Sequence, residues 1–148
     1  MSGQFEATTE INRPVEEVFA YLAAGTNDPQ FSPRVQAITK TPEGPTAVGT
    51  VFTSTVKDAG MKTGRKFRIT EFEPSRRIRW AEVSKNIVMA KEGGYDLEST
   101  GPGTTRVRIF NVLEGHGIGK LLVGFALSAA RKDADAFGRR IKTAAEAS

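Results

Sequence analysis

Two carboxylates, one histidine and a few polar side chains on apolar strand faces are the residues of this chain whose types and spacing suit chemistry. Parity along residues 66–73 places Glu71 with Phe67 and Ile69, and parity along 77–83 places Glu82 with Ile78 and Trp80. A carboxylate held on an apolar face can act as general acid or base. A bulge or a strand end would instead turn either of them to solvent. The lone histidine, His116, sits in Glu114-Gly115-His116-Gly117-Ile118-Gly119-Lys120. A phosphate-binding loop ending on Gly119 and Lys120 needs Gly at position 114 and Ser or Thr at 121, where Glu114 and Leu121 stand. A dinucleotide fingerprint fails too, because Lys120 or Leu122 takes the place of its last glycine. The segment reads as a flexible turn leading into a helix, whose free amides are its remaining anion-binding feature.

Cysteine is absent, which removes disulfides, thiolate nucleophiles and zinc sites built on sulfur. With one histidine and no Gly-x-Ser-x-Gly elbow, neither a metal nor another cofactor is expected. In the strand over 105–113, Val107, Ile109, Asn111 and Leu113 share one face, and Arg106 and Arg108 lie on the other. Asn111 is therefore an amide on an apolar wall, and it needs a partner from backbone, water or a ligand oxygen. Trp80 and Tyr95 share the parity of their apolar neighbours, each with a large apolar body and a hydrogen-bonding tip. Core packing is the ordinary role of such residues. Glu82, Tyr95 and Asn111 are the candidates for assisting proton transfer.

The elements that must position these groups follow from periodicity. Residues 5–11 alternate as a half-buried strand. Pro14 opens a helix with Glu16 and Glu17 in its first turn, a stripe of Val15, Val18, Phe19, Leu22 and Ala23, and Gly25 at its end. Thr26-Asn27-Asp28-Pro29 caps a second short helix holding Phe31, which Ser32-Pro33 breaks. Strands follow over 35–41, 50–57, 66–73, 77–83, 87–98 and 105–113, separated by Gly, Pro and Ser signals that include Ala59-Gly60. Gly93-Gly94 inside one of them predicts a bulge or bend. Ile118, Leu122, Ala126, Ala130, Ala134, Phe137, Ile141 and Ala144 predict one long amphipathic helix. These elements make an α+β domain with an antiparallel sheet curved around that helix.

The chain has 148 residues, 39% hydrophobic and 26% charged, which fits one domain over 1–148 with a substantial core. That composition excludes disordered, collagen-like and multi-span membrane proteins. Residues 1–6 carry no basic start and no apolar run, so no secretory signal is expected and the cytoplasm is the default compartment. The most apolar stretch, 121–130, is far shorter than the roughly 20 residues of a membrane span, and none is expected. Of the net charge of +4, most comes from the segment after His116, with six basic and three acidic residues. Neither interleaved aromatics nor a nucleic-acid motif accompanies them, so the pattern reads as a solvated helix face and no nucleic-acid partner is expected.

In this order the motifs resemble the START-like, Bet v 1-like (SRPBCC) superfamily, in particular its polyketide cyclase/dehydrase and lipid transport branch. The resemblance spans nearly the whole chain. It rests on Ile11-Asn12-Arg13-Pro14-Val15-Glu16-Glu17-Val18-Phe19, the segment 27–33, Val48-Gly49-Thr50, Glu71-Phe72-Glu73-Pro74 with Arg77-Ile78-Arg79-Trp80, and Gly103-Thr104-Thr105-Arg106-Val107. Arg13 departs from the Ser or Asp often found before the proline. The resemblance implies a helix-grip fold, with a seven-stranded antiparallel sheet around the C-terminal helix and an internal apolar cavity for lipids, sterols, polyketides or hormones.

On that reading the ligand-binding residues are Phe31, Trp80, Tyr95, Asn111, Phe125 and Ala129. Phe31 and Phe125 flank an entrance, and the alanines near 129 thin the long helix to make room. The expected function is a carrier or sensor for a small hydrophobic molecule. The alternatives are a cyclase or dehydratase acting in the same cavity, and a non-enzymatic partner module using the basic C-terminal helix.

Overall fold

The computed structural model describes residues 2–58 and 61–148, so the expected Ala59-Gly60 turn lies outside the described residues. Along the chain run β1 (Ser2–Ile11), α1 (Val15–Ala23), a 3₁₀ turn (Asp28–Gln30), β2 (Val35–Thr41), β3 (Val51–Asp58), β4 (Met61–Glu73), β5 (Arg77–Glu82), β6 (Val88–Gly101), β7 (Thr104–Gly115) and α2 (Gly119–Ala147). The second short helix is thus one 3₁₀ turn, because Pro29 and Pro33 leave no room for more. The described strands form one antiparallel sheet in the order β1-β7-β6-β5-β4-β3-β2. This is the helix-grip arrangement, a meander from β2 to β7 closed by β1 with α2 laid across it.

The grip depends on small residues where α2 meets the sheet. A Cβ at Gly3 would lie 2.4 Å from Leu127, and one at Gly119 would lie 1.8 Å from the Ile87 carbonyl oxygen. The buried residues of α2 are Gly119, Val123, Leu127, Gly138, Ile141 and Ala145. The expected stripe holds in the second half, where Ala134, Phe137 and Ala144 pack on the core. In the first half it is displaced by one position, because the close approach at Gly119 fixes the helix rotation there. Ile118 and Leu122 consequently face outward, at 64% and 40% exposure.

Arg13, unusual before the proline, closes the other end of the grip. Its guanidinium donates to the Glu146 carbonyl oxygen near the C-terminal end of α2, where carbonyls lack helical partners. The Asn12 amide donates to Glu146 Oε2 at 2.8 Å, and the Thr105 hydroxyl donates to the Arg13 carbonyl at 2.8 Å. On the opposite face of the sheet from α2, the guanidinium groups of Arg79 and Arg108 lie 4.9 and 4.6 Å from the Phe110 ring centre and cover it.

Gly119 and Gly124 give a matched test of the seat. Gly119→Ala should lower stability by about 2 kcal/mol or more, since the new methyl meets backbone that cannot turn aside. At Gly124 a Cβ would meet nothing within 4 Å. Gly124→Ala should therefore raise stability by up to about 1 kcal/mol. Urea unfolding of both variants measures the contrast.

Candidate functional site

Burial falls along several of the α2-facing rows of the sheet, though not along β6, where Leu97, Tyr95, Gly93 and Ala90 are all buried. On β7, Thr105, Val107 and Ile109 are buried while Asn111 and Leu113 are partly exposed. β1 runs from buried Ile11 to partly exposed Phe5, β5 from Ile78 to Trp80, and β4 from Ile69 to Phe67. One half of the grip is filled by α1, the 3₁₀ turn and the end of α2. In the other half the inner wall keeps accessible surface, and several of the sequence-derived candidates stand at the transition.

Trp80, Gly93 and Asn111 lie side by side on β5, β6 and β7. The Trp80 indole N–H donates to Asn111 Oδ1 at 3.0 Å, across β6. A Cβ at Gly93 would sit 2.1 Å from that oxygen and 2.4 Å from the indole nitrogen. Gly93 is therefore the gap through which two non-adjacent strands share a hydrogen bond. The bulge expected at Gly93-Gly94 is not there; the register shifts of β6 fall at 90/92 and 99/101. Since an indole N–H only donates, the Asn111 carbonyl oxygen must face it and the amide NH₂ points elsewhere. No described residue accepts from that NH₂.

Tyr95 packs edge-on against Trp80, with ring centres 5.1 Å apart. It is 5% exposed, and its hydroxyl has no hydrogen-bond partner among the described residues. Burial first, then the nearby Asp28 carboxylate and Tyr21, push its pKa well above the ordinary phenol value. Asp28 itself is pushed up to about 7 by desolvation of its carboxyl group. No described side chain or amide donates to that carboxyl. In the sequence Asp28 shows only as part of a cap, since nothing in its spacing reveals that the 3₁₀ turn tucks it towards two tyrosines. The one signal is an acidic residue in a segment that must also bury Phe31.

Glu82 faces inward and is buried, as parity predicts, but its oxygens are fully engaged. Oε1 accepts from Arg65 at 2.8 Å and the Ala90 amide at 2.9 Å, and Oε2 from Ser84 at 2.7 Å, Asn86 at 2.6 Å and Arg65 at 3.1 Å. This network ties the β5–β6 loop to β4 and leaves no lone pair directed at a substrate. Glu71 turns out to solvent at a register shift between Ile69 and Glu71 and lies 3.9 Å from Arg77.

Phe31 is 2% exposed and packs against Tyr21 and Phe137, so it belongs to the filled half of the grip. Phe125, at 77% exposure, and Ala129 face outward from α2. The structure thus brings together Trp80, Tyr95 and Asn111, adds Asp28, and leaves Phe125 and Ala129 outside the cluster. His116 is exposed and lies 3.2 Å from Glu114. No group of His, Asp and Glu suited to a metal occurs among the described residues. A surface cleft of about 570 Å³ lies elsewhere, along the last turns of α2 between Gln30 and Ser148, and includes none of the cluster.

A seven-stranded antiparallel sheet gripping a long C-terminal helix defines a START-like, Bet v 1-like protein. The chain belongs to the family described as polyketide cyclase / dehydrase and lipid transport, whose model matches residues 2–146. Among solved structures it is similar to the Zhui aromatase/cyclase from Streptomyces sp. R1128, with 18% identity, a TM-score of 0.82, and 99% of this chain and 94% of that chain covered. It is also similar to a START superfamily protein from Mycobacterium smegmatis, at 14% identity and TM-score 0.71 over 95% and 97% of the two chains. Ara h 8.0201 matches over 100% of both chains at 15% identity and TM-score 0.67. No curated protein matches by sequence. No helix of the described residues is long and apolar enough to cross a membrane.

Two variants test this geometry. Gly93→Ala should break the Trp80–Asn111 bond, lower stability by roughly 2 kcal/mol, and shift the emission of the sole tryptophan. For Asp28 the charged form is disfavoured in the folded chain. Its share of stability is full below the unfolded pKa near 4, declines as pH rises towards 7, and stays lost above that. Asp28→Asn should therefore raise Tm near pH 8 by roughly 4 °C or more and change it little near pH 4. An equal shift at both pH values would contradict the assignment.

Proposed function

We infer that this protein binds a small, largely apolar molecule carrying oxygen functions against the inner wall formed by Trp80, Tyr95 and Asn111, as a carrier or sensor. One observation carries the reading: the Tyr95 hydroxyl, the Asn111 amide NH₂ and the Asp28 carboxyl all lack protein partners among the described residues, on a wall that is otherwise largely apolar. No buried side-chain polar atom of the described residues lacks a partner, so the free hydrogen-bonding capacity of these three groups lies on accessible surface, where a bound molecule can reach it. A ligand hydroxyl or carbonyl would complete them while its apolar body covers Phe5, Phe67 and Leu113. Sites for small apolar molecules have this composition, an apolar lining with a few polar groups that fix orientation. Membership in a family described by polyketide and lipid chemistry supports it.

A second reading, cyclisation or dehydration of a bound chain, draws support from the Asp28 carboxyl, which at about 7 can both take and return a proton near neutral pH. The similar aromatase/cyclase fold is consistent with that chemistry but shares 18% identity. Glu82 has no part in it, since its lone pairs are committed to Arg65 and the β5–β6 loop.

Trp80 is the only tryptophan, which makes the site its own reporter. Titration with 1-anilinonaphthalene-8-sulfonate should give saturable energy transfer from Trp80, and Asn111→Ala should weaken it about fivefold, the equivalent of one hydrogen bond. Native mass spectrometry should show extra mass that is lost on unfolding. A bare protein with no saturable transfer would overturn the ligand-binding reading.

A further inference from the structure

We propose that the first three turns of α2, together with the β5–β6 loop, form a surface that docks on anionic lipid bilayers. Ile118, Leu121 and Phe125 are 64%, 76% and 77% exposed, and Leu122 is 40% exposed. They lie on the side of the helix away from the buried Gly119, Val123 and Leu127. Ile87, in the β5–β6 loop beside the start of α2, is 52% exposed as well. Its carbonyl accepts the His116 amide at 2.7 Å, which holds the loop against the start of α2. Four large apolar side chains on one side of the helix exceed the scattered exposure that is ordinary for a surface.

Basic residues predominate around the patch. Lys120 lies within the segment, Lys132 follows two turns beyond Phe125 and Lys85 lies in the β5–β6 loop, while residues 115–132 and 83–88 contain no Asp or Glu. The nearest carboxylate on β7, Glu114, lies 3.7 Å from Lys91 and 3.2 Å from His116. Apolar side chains among lysines are the composition of helices that lie in the interface of anionic membranes. Leu121 and Phe125 expose most of their surface, which suits a deformable lipid surface. A second copy would bring the lysine rim of each protomer against that of the other. The segment is too short to span a bilayer, so it would lie in the headgroup region.

The patch lies at the same end of the sheet as the partly exposed inner wall. Gly115 pairs with Val88, and Asn111, four positions earlier on β7, with Gly93. Docking would therefore set that wall next to the lipid. The proposal stands without the ligand-binding reading, because bilayer binding is measured on the protein alone.

Co-sedimentation of the full chain with vesicles of phosphatidylcholine, with and without about one quarter phosphatidylserine, tests it. The protein should pellet with the phosphatidylserine vesicles at low salt and much less with phosphatidylcholine alone. Leu121→Glu with Phe125→Glu should weaken pelleting by roughly tenfold or more, and Lys85→Glu with Lys120→Glu should reduce it to the phosphatidylcholine level. Circular dichroism and unchanged Trp80 titration confirm that these exposed changes leave fold and ligand site intact. Wild-type protein that stays in solution with both vesicles overturns the proposal. So does a dimer, seen by light scattering, that the Leu121 and Phe125 changes dissociate while vesicle binding persists. Failure of the ligand reading would show only in the Trp80 titration.

Discussion

The close seat of α2 on the β1–β7 edge of the sheet is the constraint from which the other features follow. Gly3 leaves room for Leu127, Gly138 lies over Ala7 and Thr9, and Gly119 meets the Ile87 backbone directly. A helix held this tightly at one edge cannot also fill the space over β3, β4 and β5. At the C-terminal end of α2, that space is taken by α1, the 3₁₀ turn and the Phe31, Tyr21 and Phe137 rings. Towards the start of α2 nothing equivalent covers the sheet among the described residues, and Phe67, Trp80 and Asn111 keep part of their surface. The same rotation that buries Gly119 and Val123 turns Leu121 and Phe125 outward.

Polar groups divide into two kinds by what surrounds them. Glu82 and Asp96 are engaged: the first holds the β5–β6 loop through Arg65, Ser84, Asn86 and the Ala90 amide. Asp96 lies between Arg79 and Arg108; burial alone would raise its pKa, but hydrogen bonds and charge from both guanidinium groups lower it. Such fully satisfied networks specify a single arrangement of strands. Asp28, Tyr95 and the Asn111 NH₂ have no such partners among the described residues; desolvation raises the pKa of Asp28 and of Tyr95, yet no buried polar side-chain atom is left unpaired, so their free capacity lies on accessible surface. Their placement is tolerated because Phe31, Ile78 and Ile109 fix the surrounding core, and unspent hydrogen-bonding capacity in such a place is what a binding wall needs.

Much of this is legible in the chain. The period-2 runs name every strand, although β4 begins at Met61, five positions before the alternation becomes clear, and the final apolar repeat names α2. Parity alone places Trp80, Tyr95, Asn111 and Glu82 on the inner face, since alternation is a local property of extended backbone. It fails at Glu71 because one extra residue on β4 reverses every side chain beyond it. Gly93 reads as a bulge because a glycine in a strand looks the same in sequence whether the backbone bends or a neighbour needs the space.

Local periodicity and turn chemistry therefore determined the element order, the α+β class and the inward set on each strand, because they act between residues a few positions apart. The tertiary structure alone decided which inward groups are satisfied. Whether Glu82 is a base or a strut depends on Arg65, Asn86 and the Ala90 amide; whether Asp28 titrates near neutrality depends on its burial beside Tyr21 and Tyr95. It also set the rotation of α2, and so whether Phe125 and Ala129 face the wall or the solvent. Desolvation and hydrogen-bond completion are sums over neighbours from distant parts of the chain, and no spacing along the sequence contains those sums.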